Sequence, residues 1–373
     1  MRYFIWKQIK PTNRRQAGWA LVIALWLGAT LWPGATAAQA QEKKAALDPI
    51  DAAASSAVVI MYHRIGETKY PSTNIRLDQL EAHIAEMTSG KYHVLPLIEI
   101  LGALRDGRKL PDRTLAITID DAFTSVYREA WPRFRAAKLP FTVFVATGQV
   151  AAQPGGKYMT WDQLREMAAA GVIIGNHSVS HAHLADQGEA RIAEEFSRAA
   201  AVLEKELGHK ATIMAYPYGE ASNRVIAAAK KAGFIASFGQ HSGVLHAGSD
   251  RQYLPRFALN ESFGTIQRFR LAANALPLYA TDISPSNPSP KQNPPPFGFT
   301  VGKDIPRLAQ LACYSSQHGR LAVERLGERR IEVRLPTALR PGRARINCTL
   351  PARDGRWRWL GYQYYMPRPK AAP

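Results

Sequence analysis

Cysteine is almost missing from this chain: among 373 residues there are two, Cys313 and Cys348. A disulfide-built scaffold is thereby excluded, and two cysteines so far apart, without His at ligand spacing, do not make a zinc site. No predicted strand runs into a Gly-x-Gly-x-x-Gly or Walker sequence, which removes the phosphate-cradling nucleotide enzymes. Acid is scarce beside base, 30 Asp and Glu against 48 Lys and Arg. The longest apolar run, Trp19 to Trp32, falls short of the about 20 residues that a membrane span needs.

That run is led by Arg2, Lys7, Lys10, Arg14 and Arg15 without a single acid, and followed by Ala38-Gln39-Ala40. A basic head, an apolar centre and a small-x-small end predict a cleavable signal over residues 1–40, so that the mature chain begins at Gln41 and is secreted across the inner membrane, to a periplasm. Left uncleaved, the same run would be an anchor. Residues 41–56, rich in Ala and Lys, read as a flexible lead-in. The excess of base is concentrated at the other end, where residues 297–373 carry 15 Lys and Arg against 5 Asp and Glu. For a secreted protein this points to anionic glycans or a membrane surface as partners, and not to nucleic acid.

Between 57 and 280 short apolar runs alternate with amphipathic stretches: strands from Ala57, Leu115, Phe141, Val172, Thr212, Phe234 and Leu254, helices over Leu77–Met87, Trp161–Ala169 and Glu189–Leu207 among others. Repeated β-then-α units imply a parallel sheet, and chemistry-bearing residues at strand ends fit a closed or distorted barrel better than an open sheet. Leu115-Ala-Ile-Thr-Ile-Asp120-Asp121 is a buried strand ending in two carboxylates. Asn176-His177-Ser178-Val179-Ser180-His181 follows another apolar run. Asp, His and His are metal-ligand types, and three protein ligands leave room for water and substrate. A neighbouring carboxylate, Asp120, is then placed to act as a base, provided that the chain bends at the strand end, since adjacent strand residues face opposite ways.

Residues 281–296 hold six prolines, a composition that reads as a linker or an irregular loop. Beyond it the apolar period becomes two, as in Arg330-Ile-Glu-Val-Arg-Leu335 and Trp357 to Tyr365, which predicts a small antiparallel β module over 297–373 stapled by a Cys313–Cys348 disulfide. Its aromatics, Trp357, Trp359, Tyr362, Tyr364 and Tyr365, either stack on sugar rings or pack against the barrel.

Thr118-Ile119-Asp120-Asp121, His177-Ser178-Val179-Ser180-His181 and Ala215-Tyr216-Pro217-Tyr218-Gly219 together resemble the motifs of the polysaccharide deacetylases, carbohydrate esterase family 4, over roughly residues 57–276. Met61-Tyr62-His63-Arg64 and the Ala122 after the acid pair make the chain most similar to the deacetylases of extracellular poly-N-acetylglucosamine. The resemblance implies a deformed (β/α) barrel and a metal-dependent hydrolase that removes acetyl from an N-acetylated amino-sugar polymer, exopolysaccharide or peptidoglycan. It implies Asp120 as base, Asp121, His177 and His181 as ligands of one divalent ion, zinc first and iron, nickel or cobalt next. It implies that the loop of Tyr216, Pro217 and Tyr218 lines the groove and faces the oxyanion. The chain departs from the family at Ala215, where an Arg orients the base, and in lacking a late Leu-x-His. Arg256 is the substitute for the first and His63 the candidate acid for the second. These departures also suggest a second reading, a weakened deacetylase fold serving as a glycan-binding or export scaffold. A two-His, one-carboxylate iron oxygenase is a third, in which Asp120 would have no role.

Overall fold

In the computed structural model, which describes residues 55–368, the central strands of the first sheet are buried on both faces, so their apolar residues run almost without interruption. Along the chain come β1 (Ser56–Tyr62), α1 (Leu77–Met87), α2 (Leu97–Arg105), β2 (Thr114–Asp120), α3 (Trp131–Ala136), β3 (Phe141–Val145), α4 (Trp161–Ala169), β4 (Ile173–Asn176), α5 (Glu189–Leu207), β5 (Ile213–Ala215), α6 (Asn223–Lys231), β6 (Ala236–Phe238), β7 (Phe257–Ala258) and α7 (Ile266–Ala273). Strands β1 to β6 lie side by side, all parallel, and β7 pairs in parallel with the far side of β1. Leu254 bridges β6 at Phe238 just before β7. The sheet therefore curls into a deformed barrel whose last side is one frayed strand.

The period of two decides what each face carries. Leu115, Ile117 and Ile119 of β2 face a core that includes Phe134, Leu164 and Met167 of the surrounding helices. Ala116 lies in a second core with Phe144, Ala215 and Phe238. By alternation, Thr118 and Asp120 share the side of Ala116, so a carboxylate is carried into the apolar barrel interior. Close packing there leaves no room at Gly175, where a Cβ would lie 2.5 Å from the Phe144 ring.

Pro132 sits in the first turn of α3, where its missing N–H costs nothing, after a π-helical turn over Val126–Ala130. Residues 281–296 are not a free linker. Strands β8 (Leu276–Pro277), β9 (Ala280–Ser284), β10 (Phe297–Val301), β11 (Ala312–Ser315), β12 (Gly319–Leu326), β13 (Arg330–Arg334), β14 (Gly342–Pro351) and β15 (Trp357–Met366) form one eight-stranded sheet, ordered β8-β15-β14-β11-β12-β13-β10-β9. Thr281 to Ser284 are compatible with a strand, and only from Pro285 on do the prolines force a loop, which returns to β10. That loop is tied down: the Tyr362 hydroxyl donates to the Pro285 carbonyl at 3.1 Å and the Tyr365 amide to the Pro288 carbonyl at 2.8 Å. Barrel and second sheet belong to one compact unit.

Cys313 and Cys348 face each other in register across β11 and β14 and are joined as a disulfide. Trp359, Tyr362, Tyr364 and Tyr365 are buried, and Trp359 packs edge-on against Phe257 of the barrel. Four of the five tail aromatics thus serve packing; Trp357 alone of them is exposed. Residues 1–54, on which the expected signal and most of the expected lead-in fall, lie outside the described residues.

Candidate active site

The bend at the end of β2 is made by two successive left-handed residues, Asp121 at φ 75° and Ala122 at φ 54°. It separates the two carboxylates. Asp120 stays inside the barrel, fully buried, in a bidentate pair with Arg256: Nη1 to Oδ1 at 2.7 Å and Nη2 to Oδ2 at 2.8 Å. Arg256 is itself fully buried, donates from Nε to the Gly239 carbonyl at 3.0 Å, and lies against both the Phe144 and Phe238 rings. Burial alone would push the Asp120 carboxyl up; the Arg256 guanidinium, with His177 and His63, reverses this and holds it below the usual carboxylate range. The residue chosen to stand in for the absent Arg at 215 is therefore in contact with the acid.

Asp121 turns toward the histidines. Its Oδ1 lies 3.3 Å from His177 Nε2 and 3.1 Å from His181 Nε2. His177 is fully buried and donates from Nδ1 to the Ala215 carbonyl at 2.7 Å, so its Nε2 is left as a lone pair. Neither Asp121 Oδ1 nor His177 Nε2 has a hydrogen-bond partner, although both are buried. Two acceptors aimed at each other require a proton or a cation between them, and a neutral His, a carboxylate and a second His suit a divalent ion. Among the described residues this is the cluster of three His, Cys, Asp or Glu whose ligand atoms all lie within 4.8 Å of one another. The imidazoles outweigh the burial that would raise the Asp121 carboxyl and hold it well below its ordinary value.

The loop between the histidines is shaped from two sides. Asn176 Oδ1 accepts from the Ser178 amide at 2.8 Å, and Ser178 and His181 are both left-handed. Glu195 of α5, buried beneath the loop, accepts from the Val179 and Ser180 amides at 2.9 and 2.8 Å and from the Ser180 hydroxyl at 2.7 Å. Sequence reasoning missed Glu195, because a Glu on an amphipathic helix gives no sign of which loop lies above it.

His63 Nε2 is 3.9 Å from Asp120 Oδ2, and burial holds this imidazole below its usual value. Two other imidazoles lie elsewhere: His246 is the register partner of Ser56 at the amino end of β1, and His241 packs on Tyr253 while its carbonyl accepts from the Arg256 amide. Tyr216 is a correction. Its side chain is fully buried in the cluster beneath α5 and α6, with its hydroxyl on the Gln252 carbonyl at 2.8 Å, because at the end of β5 it alternates away from the barrel interior. Pro217 is buried as well; only Tyr218 of the three is partly open. Tyr218 is left-handed, φ 59°, with its ring edge-on to His181 and stacked on His183 at 4.2 Å. Beside the Asp121 turn, Arg64 is sandwiched between Tyr70 and Phe123, flanking a cavity of about 470 Å³.

Residues 107–237 match the family described as polysaccharide deacetylase. The chain is 24% identical over 176 residues to the Bacillus subtilis protein YxkH, covering 47% of this chain and 61% of that relative, so it spans about three fifths of that relative's length. It is 24% identical over 232 residues to the poly-beta-1,6-N-acetyl-D-glucosamine N-deacetylase of Staphylococcus aureus, covering 56% of this chain and 80% of that one. The structure of IcaB from Ammonifex degensii superposes with a TM-score of 0.53 at 27% identity over 59% of this chain and 97% of that chain. The Streptococcus pyogenes deacetylase PplD shares the fold, with a TM-score of 0.54 at 20% identity over 58% of this chain and 98% of that one.

Proposed function

We propose that this chain, whose residues 107–237 match the polysaccharide deacetylase family, hydrolyses the N-acetyl groups of an amino-sugar polymer and releases acetate. The observation that carries the reading is the division of labour at the end of β2: one carboxylate locked on a buried Arg, the next aimed at two imidazoles. Exopolysaccharide of the poly-β-1,6-N-acetylglucosamine kind is the preferred substrate, since relatives that deacetylate that polymer match more than half of the chain. Asp121, His177 and His181 would hold one divalent ion, zinc by default. Such an ion supplies Lewis acidity to the acetyl carbonyl and a more acidic water.

The remaining work falls to the chain's own groups. Asp120, kept ionised by Arg256, takes the proton of the attacking water. Thr118, 3.2 Å from Arg256 Nη1, helps to fix that guanidinium and hence the base. The Tyr218 turn offers its backbone N–H to the oxygen on which charge develops. His63, 3.9 Å from Asp120, relays to the leaving amine the proton that Asp120 has taken. Arg256, paired with Asp120, also speaks against one of the two departures behind the scaffold reading, the absent Arg at 215.

We further infer that the chain works outside the cytoplasm, in keeping with the basic-then-apolar start of the sequence and with the disulfide. Mass spectrometry of N-acetylglucosamine oligomers incubated with the purified chain tests the enzyme directly. Loss of acetyl from β-1,6 in preference to β-1,4 oligomers supports the proposal; no loss from either, with a divalent ion bound, contradicts it.

A further inference from the structure

The turn that carries Tyr218 is gripped from outside the barrel. Gln363 of β15 is 1% exposed, and its single amide nitrogen donates to the Gly219 carbonyl at 2.8 Å and to the Tyr218 carbonyl at 3.3 Å. Its Oε1 accepts from Arg345 Nε at 2.9 Å. A buried amide with both ends engaged is set in one orientation. Packing there is tight: at Gly361 a Cβ would lie 1.9 Å from the Ser242 carbonyl oxygen, and at Gly219 one would lie 2.3 Å from the Gln240 amide. Tyr365 bonds Asp186 on the loop after His183, and Arg343 Nη1 lies 3.4 Å from the Tyr218 carbonyl.

The conformation being held is an expensive one. Tyr218 and Gly219 are consecutive left-handed residues, at φ 59° and 67°, and a bulky aromatic does not adopt that region without outside support. Moving the Tyr218–Gly219 peptide would shift the Tyr218 amide at the groove and the ring that lies on His181. None of the gripping side chains falls within the residues that match the family, 107–237.

We infer that the C-terminal sheet is the second half of the active-site wall, and that Gln363 is a positioning residue for the Tyr218 turn. The inference rests on the deacetylase reading above for its catalytic consequence, though not for the grip itself. Gln363→Met keeps the shape of the side chain and removes both bonds to the loop. With the full chain, kcat for acetate release should fall about tenfold, within the range by which misplaced groups slow enzymes, with KM and divalent-ion affinity within about twofold of the parent. Hydrogen exchange across residues 216–220 should speed up by a similar factor, while 115–120 stay protected. Should Gln363→Met not fold, Gln363→Glu, which keeps the Arg345 contact and repels the two carbonyls, is read in the same way. Leu350→Ala, in the core of the same sheet and away from the loop, is the control for loss of stability. Unchanged exchange at 216–220 in the Gln363 variants, or an equal loss of kcat in Leu350→Ala, overturns the inference. If the parent chain releases no acetate and yet only the Gln363 variants loosen 216–220, the deacetylase reading falls and the positioning role stands.

Discussion

The carboxyl edge of the barrel and the C-terminal sheet are built on opposite terms. Among the described residues nine non-glycine residues have positive φ, and five of them, Asp121, Ala122, Ser178, His181 and Tyr218, lie in the three loops that form the site. The same edge buries charge: Asp120, Arg256 and Glu195 are each at most 1% exposed. The second sheet turns its alternate residues inward as apolar side chains, Ala344, Ile346 and Leu350 of β14 beside Phe297 and Tyr364, and leaves Arg320, Arg325 and Arg334 at the surface. Strain and buried charge are concentrated where chemistry is done, and regular packing where it is not. The sheet offsets the strain next to it, through Gln363 and its neighbours.

This contrast predicts where substitutions will be felt. Asp120→Asn leaves the buried Arg256 guanidinium without its carboxylate, so it should cost about 3–5 kcal/mol in denaturant unfolding and, under conditions where the chain is folded, lower acetate release by roughly 100- to 10,000-fold, measured as kcat/KM. Arg256→Leu strands a buried carboxylate and should cost about 3–5 kcal/mol in denaturant unfolding besides abolishing turnover; a loss under about 1 kcal/mol would break the picture of a buried pair. Replacing both Cys313 and Cys348 by Ser should cost about 2–4 kcal/mol and yet spare kcat at temperatures where the chain is folded, since the disulfide lies within the regular half. Glu195→Gln should cost about 1–3 kcal/mol. Burial alone would raise the Glu195 carboxyl; the Ser180 and Val179 bonds lower it below its ordinary 4.5. A depressed carboxyl stabilises the fold above the unfolded value and loses that contribution as pH falls through the folded value. The gap in thermal midpoint between parent and Glu195→Gln should therefore be full at neutral pH and close in the acid range below 4.5. Trp357→Ala, at an exposed strand end, should change stability by no more than about 0.5 kcal/mol and leave turnover alone; a marked rise in KM for polymer would restore the tail as a glycan platform.

Much of the barrel was legible because its signals are local. The periods of helices Leu77–Met87, Trp161–Ala169 and Glu189–Leu207 give the observed bounds. The acid pair and the two histidines could be found because each closes an apolar strand, and Arg256 because a known role lacked an occupant. Other features depend on contacts across the fold. Tyr216 turns away from the barrel interior by strand alternation, whereas Tyr218 is brought to the groove by a left-handed turn that no residue type announces. Glu195, Gln240 and Gln363 are ordinary polar residues until the loops above them are in place. The Pro-rich stretch misleads for a similar reason: its composition excludes regular structure after 285, and says nothing of the strand before it or of the tyrosines that tie it down.

In the proposed mechanism Asp121, His177 and His181 make a metal-dependent deacetylase centre with Asp120 as its base. The most direct test is acetate release from β-1,6-linked N-acetylglucosamine oligomers by chain stripped with chelator and then given back zinc, cobalt, nickel or iron. The account predicts that release vanishes on stripping, returns with added ion in the parent, and does not return in Asp120→Asn that binds the ion equally well. Release that persists without any ion, or that Asp120→Asn recovers in full, would contradict it.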